Sequence, residues 1–265
     1  MTIEVYAAPL HRLKVSEIDT AHVYEVLRPI WSTKAETASR LRGRIEKILD
    51  AAKTSGFREG ENPARWGGHL ENLLHKRKRL TRGHHAAMPY EEVPAFVQAL
   101  RKRPGGAARA LEFHILCASR PGMVENMQLE HIDWDDALWV VPGELMKIGV
   151  EHTVPLTDRA LDLLRGLNHR TVRGYVFWAQ RRGTKISNST LSHEMARLGA
   201  GAYTPHGFRS SFRDWAGDET LHEEKTAEHA LAQQVGTETQ RAYRRRTALK
   251  KRRALLEDWA TYLST

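Results

Sequence analysis

The sequence predicts a mainly α (α+β) fold in two domains: a small all-α domain over residues 1–82, then a mixed, mostly helical domain over residues 83–265 with a small antiparallel sheet. In the first part, apolar residues recur at helical spacing, and the part ends in a basic stretch suited to a linker. In the second part, helical segments enclose short runs rich in β-branched residues. A chain of 265 residues is long enough for two such domains.

The first domain is predicted to contain three helices after an extended lead-in over residues 1–15. Asp19 or Thr20 is expected to cap the first helix. Thr33-Lys34-Ala35-Glu36 has the pattern of a capping box that opens the second, and Gly56 offers a stop for it. Asn62-Pro63 is expected to begin the third helix, since proline is tolerated in a first turn.

Two groups of basic residues in this domain are candidate phosphate contacts. Arg40, Arg44 and Lys47 fall on one stripe of the second helix, which is either a solvated face or a row of DNA contacts. The other group ends the third helix and leads into the linker, which either crosses a nucleic-acid backbone or is a plain tether. Its members are Lys76, Arg77, Lys78 and Arg79.

The second domain is predicted to begin with helices over Pro89–Arg103 and Ala107–Ser119. The latter is almost wholly apolar and therefore buried, and it brings Arg120 out of the core at a tight turn. Leu138–Val141 and Thr153–Leu156 are expected to pair as a hairpin that carries Lys147 near its bend. A helix capped by Asp158 and a short strand at 175–178 follow, and the rest is predicted to be mainly helical.

The composition favours an acidic macromolecular partner. The net charge is +9 and the isoelectric point is about 9.8, which points to nucleic acid before membrane. The single cysteine, Cys117, excludes an intramolecular disulfide, and the scattered histidines lack the spacing of a metal site. No apolar stretch approaches a membrane span and no signal peptide opens the chain, so a soluble cytoplasmic protein is expected.

The stretch from Thr204 to Arg246 combines residue types suited to attack on a phosphate. His206 and Arg209 form a His-x-x-Arg pair, and Tyr243 follows among arginines. A phenol, with a pKa of about 10, is a poor nucleophile unless nearby cations favour the phenolate, and arginine grips anions well. These residue types therefore indicate a tyrosine nucleophile with an anion clamp.

The order of several motifs resembles that of the tyrosine recombinases, specifically the phage-type and genomic-island integrases. The similarity runs along most of the chain. The motifs, in order, are Ala35–Arg40, Glu59–Trp66, Arg120 at a helix end, Met146-Lys147, Glu151-His152-x-Val-Pro-Leu156, His206–Ala216 and Ala242–Arg245. Any one of these could be chance, but their order is a specific signal.

The resemblance implies a core-binding (SAM-like) DNA-binding domain followed by a recombinase catalytic domain. Tyr243 would attack a DNA phosphate and form a 3′-phosphotyrosyl link that retains the phosphodiester energy, so no cofactor or metal is implied. Arg120 and Arg209 would clamp the phosphate oxygens, Lys147 would protonate the leaving oxygen, and His206 would assist proton transfer. Each of these residues also has an ordinary structural alternative, such as packing or a solvated surface position.

The sequence departs from the family pattern in three places. Gln233 stands where the family usually has a histidine, and its amide can donate a hydrogen bond but cannot carry a proton. Met123 replaces a supporting acidic residue, and together Gln233 and Met123 predict a reduced activity. No stretch before Ser16 is long enough for the arm-binding domain expected of such integrases. These departures support the alternative of a catalytically impaired relative that acts as a DNA-binding protein; a type IB topoisomerase is a second rival.

The C-terminal part suggests both a DNA contact and a role in assembly. Basic residues, Arg244 and Arg245 among them, cluster between Arg241 and Arg253 without an acidic residue, which favours DNA contact. Beyond them an apolar stripe marks a terminal helix, which packs on its own domain or docks into a neighbour. The resemblance implies a tetramer on double-stranded DNA. The stripe consists of Leu255, Leu256, Trp259, Tyr262 and Leu263.

Overall fold

A computed structural model describes residues 2–75, 86–146, 149–167, 174–179, 183–233 and 245–265. The chain divides into two compact units, Met1–Arg82 and Gly83–Thr265. Each unit has its own core of buried apolar side chains. The described part of the second unit contains both small sheets.

The first unit is helical, and its helices are α1 (Thr2–Tyr6), α2 (Thr20–Trp31) and α3 (Ala35–Thr54), with 3₁₀ turns at Ala8–Arg12 and Leu70–Asn72. Asp19 caps α2 by accepting a hydrogen bond from the backbone N–H of His22, as predicted. The prediction of an extended lead-in over residues 1–15 was wrong, since α1 and the first 3₁₀ turn lie there. Ala7 and Leu10 are buried in the core of the unit, and this packing favours helical turns.

Two further predictions in this unit were wrong. The hydroxyl of Thr33 donates to the carbonyl of Pro29, so no capping box forms and α3 begins without a side-chain cap. Asn62 does not begin a helix: its amide donates to the carbonyl of Glu46 and to the carboxylate of Asp50 at 2.6 Å. This tether fixes the loop after α3, and Gly68 then adopts a φ of +68°, which a continuing helix forbids.

The second unit is a helical layer built around the buried helix α5 (Gly106–Leu116), which the sequence predicted. In α5, seven consecutive residues, Ala110–Leu116, are buried. The other helices before the last one are α4 (Val93–Arg101), α6 (Pro121–Glu125), α7 (Asp158–Gly166), α8 (Asn188–Arg197), α9 (Phe208–Asp218) and α10 (Glu224–Ala230).

The strands of the second unit form two small antiparallel sheets. β1 (Ile132–Asp133), β2 (Leu138–Val141) and β3 (His152–Pro155) pair in the order β1-β2-β3, with Val141 opposite His152. β2 and β3 form the predicted hairpin. β4 (Trp178–Ala179) and β5 (Thr184–Lys185) form the second sheet.

The last helix, α11 (Arg245–Tyr262), packs on its own unit. Its apolar residues Leu255, Leu256 and Trp259 are at most 1% exposed, and the indole of Trp259 donates to the carbonyl of Ile115 in α5. Basic residues of its middle turns also bind within the unit, since Arg252 donates to the carbonyl of Thr153 at 2.6 Å. This part of the basic cluster therefore stabilises the fold rather than facing a partner.

The predicted fold class is confirmed: the chain is mainly helical with a small antiparallel sheet. Among the described residues, no helix has both the length and the apolar character that crossing a membrane requires.

Candidate active site

Two of the predicted site residues line one cavity of about 630 Å³ in the second unit. Arg120 lies at the N-terminus of α6, and His206 lies in the 3₁₀ turn Pro205–Gly207 that precedes α9. The wall between them includes Met123 and two carboxylates, Glu125 and Glu144. The motifs around residues 120 and 206, far apart in sequence, thus meet at one surface depression.

Lys147 and Tyr243 lie outside the described residues, as do residues 234–242. The described residues nearest to Tyr243 in the sequence are Gln233 before it and Arg245, the first residue of α11, after it. Met146, the residue before Lys147, lies in the connection between β2 and β3. The structure therefore describes the residues that flank both candidates.

Arg209 is buried in α9, with 6% of its surface exposed. Its guanidinium donates to the carbonyl of Ala118 at 2.7 Å and to that of Leu231. Arg120 donates to the carbonyl of Ala232 at 2.8 Å. The two predicted clamp residues are therefore held by neighbouring backbone groups, and each keeps guanidinium N–H groups beyond those bonds.

The cationic pair has no acidic partner among the described residues, since neither Arg120 nor Arg209 forms an ion pair there. Burial and, to a smaller extent, the charge of Arg120 lower the pKa of Arg209 to about 9, and burial also lowers the pKa of Arg120. Both groups remain charged at neutral pH. Two partly desolvated positive charges neutralised only by carbonyl dipoles form a strong site for an anion.

His206 is positioned by an unusually close approach of two backbone segments. A Cβ on Gly207 would lie 2.3 Å from the carbonyl oxygen of Ala86, so only glycine fits after His206. Thr204 caps the turn, because its hydroxyl accepts from the N–H of Gly207 at 3.1 Å. Behind the turn, the buried imidazole of His114 contacts the carbonyl of Pro205 at 2.7 Å.

The two residues that depart from the family pattern, Gln233 and Met123, differ in their exposure. Gln233 is exposed, and its backbone N–H donates to the carbonyl of Glu228 in the last turn of α10. Met123 is buried at 2% exposure, and its sulfur accepts from the backbone N–H of Arg120 at 3.4 Å. A thioether is a weak acceptor, so Met123 supports Arg120 by packing rather than by charge.

His152, at the first position of β3, was not among the predicted site residues. Its Nε2 is buried without a hydrogen-bond partner in the described part of the chain. Burial, followed by the charges of Arg252, Arg120 and Arg209, lowers the pKa of His152 to about 3. The only sequence signal for this position was its place in the Glu151–Leu156 motif.

The candidate DNA contacts of the first unit are partly described. Arg40, Arg44 and Lys47 are exposed on α3, and Arg40 pairs with Glu36 at 2.9 Å. The four basic residues at 76–79 lie outside the described residues, as does Arg244; for Arg245 the backbone alone is described. The stripe on α3 therefore retains two exposed cations for which no ion pair is found within the described residues.

Comparisons with known proteins find similar proteins over most of the length of the chain. The phage integrase central domain model matches residues 1–69, and the phage integrase family model matches residues 87–243. The prophage integrase IntZ of Escherichia coli K12 is 29% identical over 255 residues, covering 95% of this chain and 61% of IntZ. The integrase of Shigella phage Sf6 is 25% identical over 264 residues, covering 95% of this chain and 65% of that protein. The chain thus spans about three fifths of these relatives.

Solved structures share the fold. A dimer of lambda integrase residues 75–356 bound to a COC′ core site matches with a TM-score of 0.62 and 20% identity, over 88% of this chain and 85% of that one. A lambda integrase tetramer bound to a Holliday junction matches with a TM-score of 0.58 and 20% identity, over 84% of this chain and 66% of that one. From the family models that cover most of its length, this chain belongs to the phage integrase family.

Proposed function

We propose that the protein carries out site-specific DNA recombination by cutting and rejoining DNA through a covalent phosphotyrosyl intermediate on Tyr243. The observation that carries this proposal is the pair of guanidinium groups of Arg120 and Arg209. Arg120 lines a cavity of about 630 Å³, and neither arginine forms an ion pair within the described residues. A DNA phosphate supplies the anion that this pair lacks.

The proposed reaction assigns a role to each group. The Tyr243 oxygen attacks the phosphorus and displaces the 5′ oxygen of the next nucleotide, leaving a 3′-phosphotyrosyl bond. Arg120 and Arg209 neutralise the charge that builds on the non-bridging oxygens. Lys147 gives a proton to the leaving oxygen, and the reverse reaction with another strand's 5′-hydroxyl reseals the DNA. His206, on the same cavity wall, donates a hydrogen bond to the phosphate or helps to take the tyrosine proton.

Gln233 takes the place of the family's histidine near the phosphate in this proposal. Its exposed amide can donate a hydrogen bond but cannot exchange a proton. Cleavage then depends on Lys147 and His206 for proton transfer. The alternative function, DNA binding without cleavage, gains no support from the relatives, which are named as integrases.

Double-stranded DNA is the proposed partner, and the exposed α3 stripe and the catalytic unit are proposed to bind it. The proposed location of the protein is the cytoplasm, where that DNA lies. We also propose that four copies assemble on two duplexes, as lambda integrase does on a Holliday junction. The apolar stripe of α11 is buried in its own unit, so docking of this helix into a neighbour requires it to leave that place. Sedimentation with a four-way DNA junction tests the assembly: four chains per junction are expected, and a complex limited to one chain contradicts it.

A nicked suicide substrate tests the chemistry. The short strand released by cleavage diffuses away, so the covalent protein–DNA adduct accumulates and survives denaturing electrophoresis. Wild-type protein is expected to form the adduct, and Tyr243→Phe is expected to form none while still binding DNA. A substrate library replaces a single sequence, because base contacts that define the target cannot be deduced from the phosphate clamp. Equal adduct with Tyr243→Phe overturns the proposal.

A further inference from the structure

We infer that His114 is a positioning residue that holds together two turns of the candidate active site. The catalytic consequence of this inference rests on the proposed function, whereas its structural part does not. The arginine turn, residues 117–120, follows α5 and ends at Arg120. The histidine turn, residues 204–207, contains His206. Arg120 and His206 both line the cavity.

The imidazole of His114 contacts both turns from inside the core. This side chain of α5 is fully buried. Its Nε2 lies 2.7 Å from the carbonyl oxygen of Pro205, the residue before His206. Its Nδ1 lies 3.4 Å from the hydroxyl oxygen of Ser119, the residue before Arg120. One side chain therefore contacts the residue that precedes each of the two site residues.

The chemistry of these partners determines which ring nitrogen carries the hydrogen. A carbonyl oxygen can only accept, so Nε2 of His114 donates to Pro205. In a neutral ring Nδ1 is then an acceptor, and the hydroxyl of Ser119 donates to it. Burial, followed by the charges of Arg209 and His206, lowers the pKa of His114 to about 4, so the ring is neutral at pH 7. Both nitrogens have partners in that state, which favours a fixed contact over proton transfer.

The arginine turn depends on contacts with other parts of the unit. Ala118 has a φ of +44°, in the left-handed region that a residue with a Cβ disfavours. Its carbonyl accepts a hydrogen bond from Arg209 at 2.7 Å, and the next residue, Ser119, contacts His114. These two contacts fix the point at which the chain leaves α5 and presents Arg120 to the cavity.

Two substitutions separate the hydrogen bond from packing. His114→Gln retains an N–H donor near the position of Nε2, whereas His114→Leu keeps an apolar body and removes the donor. Glu112→Gln is the matched control, since Glu112 is also fully buried on α5 but binds arginines outside both turns. All assays are run at a temperature at which thermal unfolding shows each variant to be folded.

Nitrogen-15 NMR of the histidine side chains tests the inferred hydrogen position without catalysis. The signal that disappears in His114→Gln identifies this ring in the spectrum of the wild type. At pH 7 it is expected to show hydrogen on Nε2 and none on Nδ1, because Pro205 can only accept.

Hydrogen–deuterium exchange tests whether His114 stabilises the histidine turn. The amides of Gly207 and Phe208 bond within that turn, so they report its opening. Relative to the amides of α7, His114→Leu is expected to raise their exchange rate about fivefold, the effect of losing one hydrogen bond. His114→Gln is expected to keep this ratio within about twofold of the wild type.

The covalent-adduct assay gives the catalytic readout. At saturating DNA, His114→Leu is expected to form the adduct about tenfold more slowly, with a dissociation constant for DNA within about twofold of the wild type, because misplaced site residues affect the chemical step. His114→Gln is expected to restore most of the rate. Glu112→Gln is expected to cleave at the wild-type rate, since it lowers stability without disconnecting the turns.

Four results overturn the inference: hydrogen on Nδ1 instead of Nε2, unchanged exchange in His114→Leu, equal slowing of cleavage in the two His114 variants, or equal slowing in Glu112→Gln. The last of these would assign the slower cleavage to lost stability. If the wild type forms no adduct but the NMR and exchange results are as expected, the recombinase proposal fails and the positioning role stands.

Discussion

Replacing Gly207 with alanine is expected to destabilise the second unit, whereas the same change at Gly217 is expected to stabilise it. Gly207 directly precedes α9 and Gly217 lies near its end, and neither has a positive φ, so neither replacement strains the backbone. A Cβ at position 207 would lie 2.3 Å from the oxygen of Ala86 and 2.8 Å from the Cα of Ala87. At position 217 it meets nothing within 4 Å.

The size of the effect follows from this geometry. Relieving the overlap requires backbone movement, at about 1–3 kcal/mol for an overpacked site. It also weakens the bond from the N–H of Thr204 to the carbonyl of Ala86, at about 1 kcal/mol. Alanine is favoured over glycine in a helix by about 0.5–1 kcal/mol. The net loss at Gly207 is therefore about 2 kcal/mol, and the gain at Gly217 is about 0.5 kcal/mol.

Urea unfolding followed by tryptophan fluorescence measures both variants, and thermal unfolding gives an independent value. For a unit of this size, a loss of about 2 kcal/mol lowers the melting temperature by about 4–8 °C. Because His206 precedes Gly207, the displaced turn is also expected to slow adduct formation in the folded variant. Equal stability of the two alanine variants would refute the argument that the Ala86 segment requires glycine at position 207.

Three further predictions concern other parts of the second unit. Glu112 is fully buried and accepts hydrogen bonds from three arginines, so Glu112→Gln is expected to lower the unfolding free energy by about 3 kcal/mol. The control Asp162→Asn, which removes the charge of an exposed ion pair, is expected to change it by less than about 0.5 kcal/mol. A loss in Glu112→Gln as small as that of the control contradicts this prediction. Burial lowers the pKa of His114 from 6.5 to about 4, so the unfolding free energy is expected to fall as the pH drops from 6.5 towards 4, by about 2 kcal/mol at pH 5. His114→Gln is expected to remove this pH dependence, which urea unfolding at several pH values measures. An unchanged dependence of the unfolding free energy on pH in His114→Gln refutes the assignment. Arg252→Ala is expected to lower the unfolding free energy by about 2 kcal/mol, because the buried hydrogen bond to β3 is lost. Lys250→Ala, at an exposed position of the same helix, is expected to lower it by less than about 0.5 kcal/mol. Equal effects of the two substitutions would show that the bond does not stabilise the unit.

Local signals predicted the elements that depend on neighbouring residues. Asp19 caps α2 because its carboxylate reaches an N–H three residues ahead, and Gly56 follows the end of α3 with a φ of +75°. The helix expected after Asn62 failed because that side chain binds Glu46 and Asp50, on an earlier helix. Such a contact depends on the fold of the unit, so spacing along the chain does not reveal it.

The site shows the same division between local and tertiary information. The order of motifs placed Arg120 and His206 in one site, and both line the cavity. The binding of two successive carbonyls, those of Leu231 and Ala232, by Arg209 and Arg120 was not predictable, because main-chain acceptors leave no mark on the sequence. Burial of the α11 stripe likewise depends on the surface presented by α5, so the sequence left its docking partner open.

The most direct test of the account is the chemical identity of the covalent adduct. The protein is incubated with suicide DNA that carries a radioactive phosphate at the cleavage site, then digested with trypsin and nuclease and analysed by mass spectrometry. The account predicts label on the peptide that contains Tyr243, as a phosphotyrosine joined to the 3′ side of the break, with a free 5′-hydroxyl on the released strand. Label on another residue, or a link to the 5′ side of the break, would contradict the central claim.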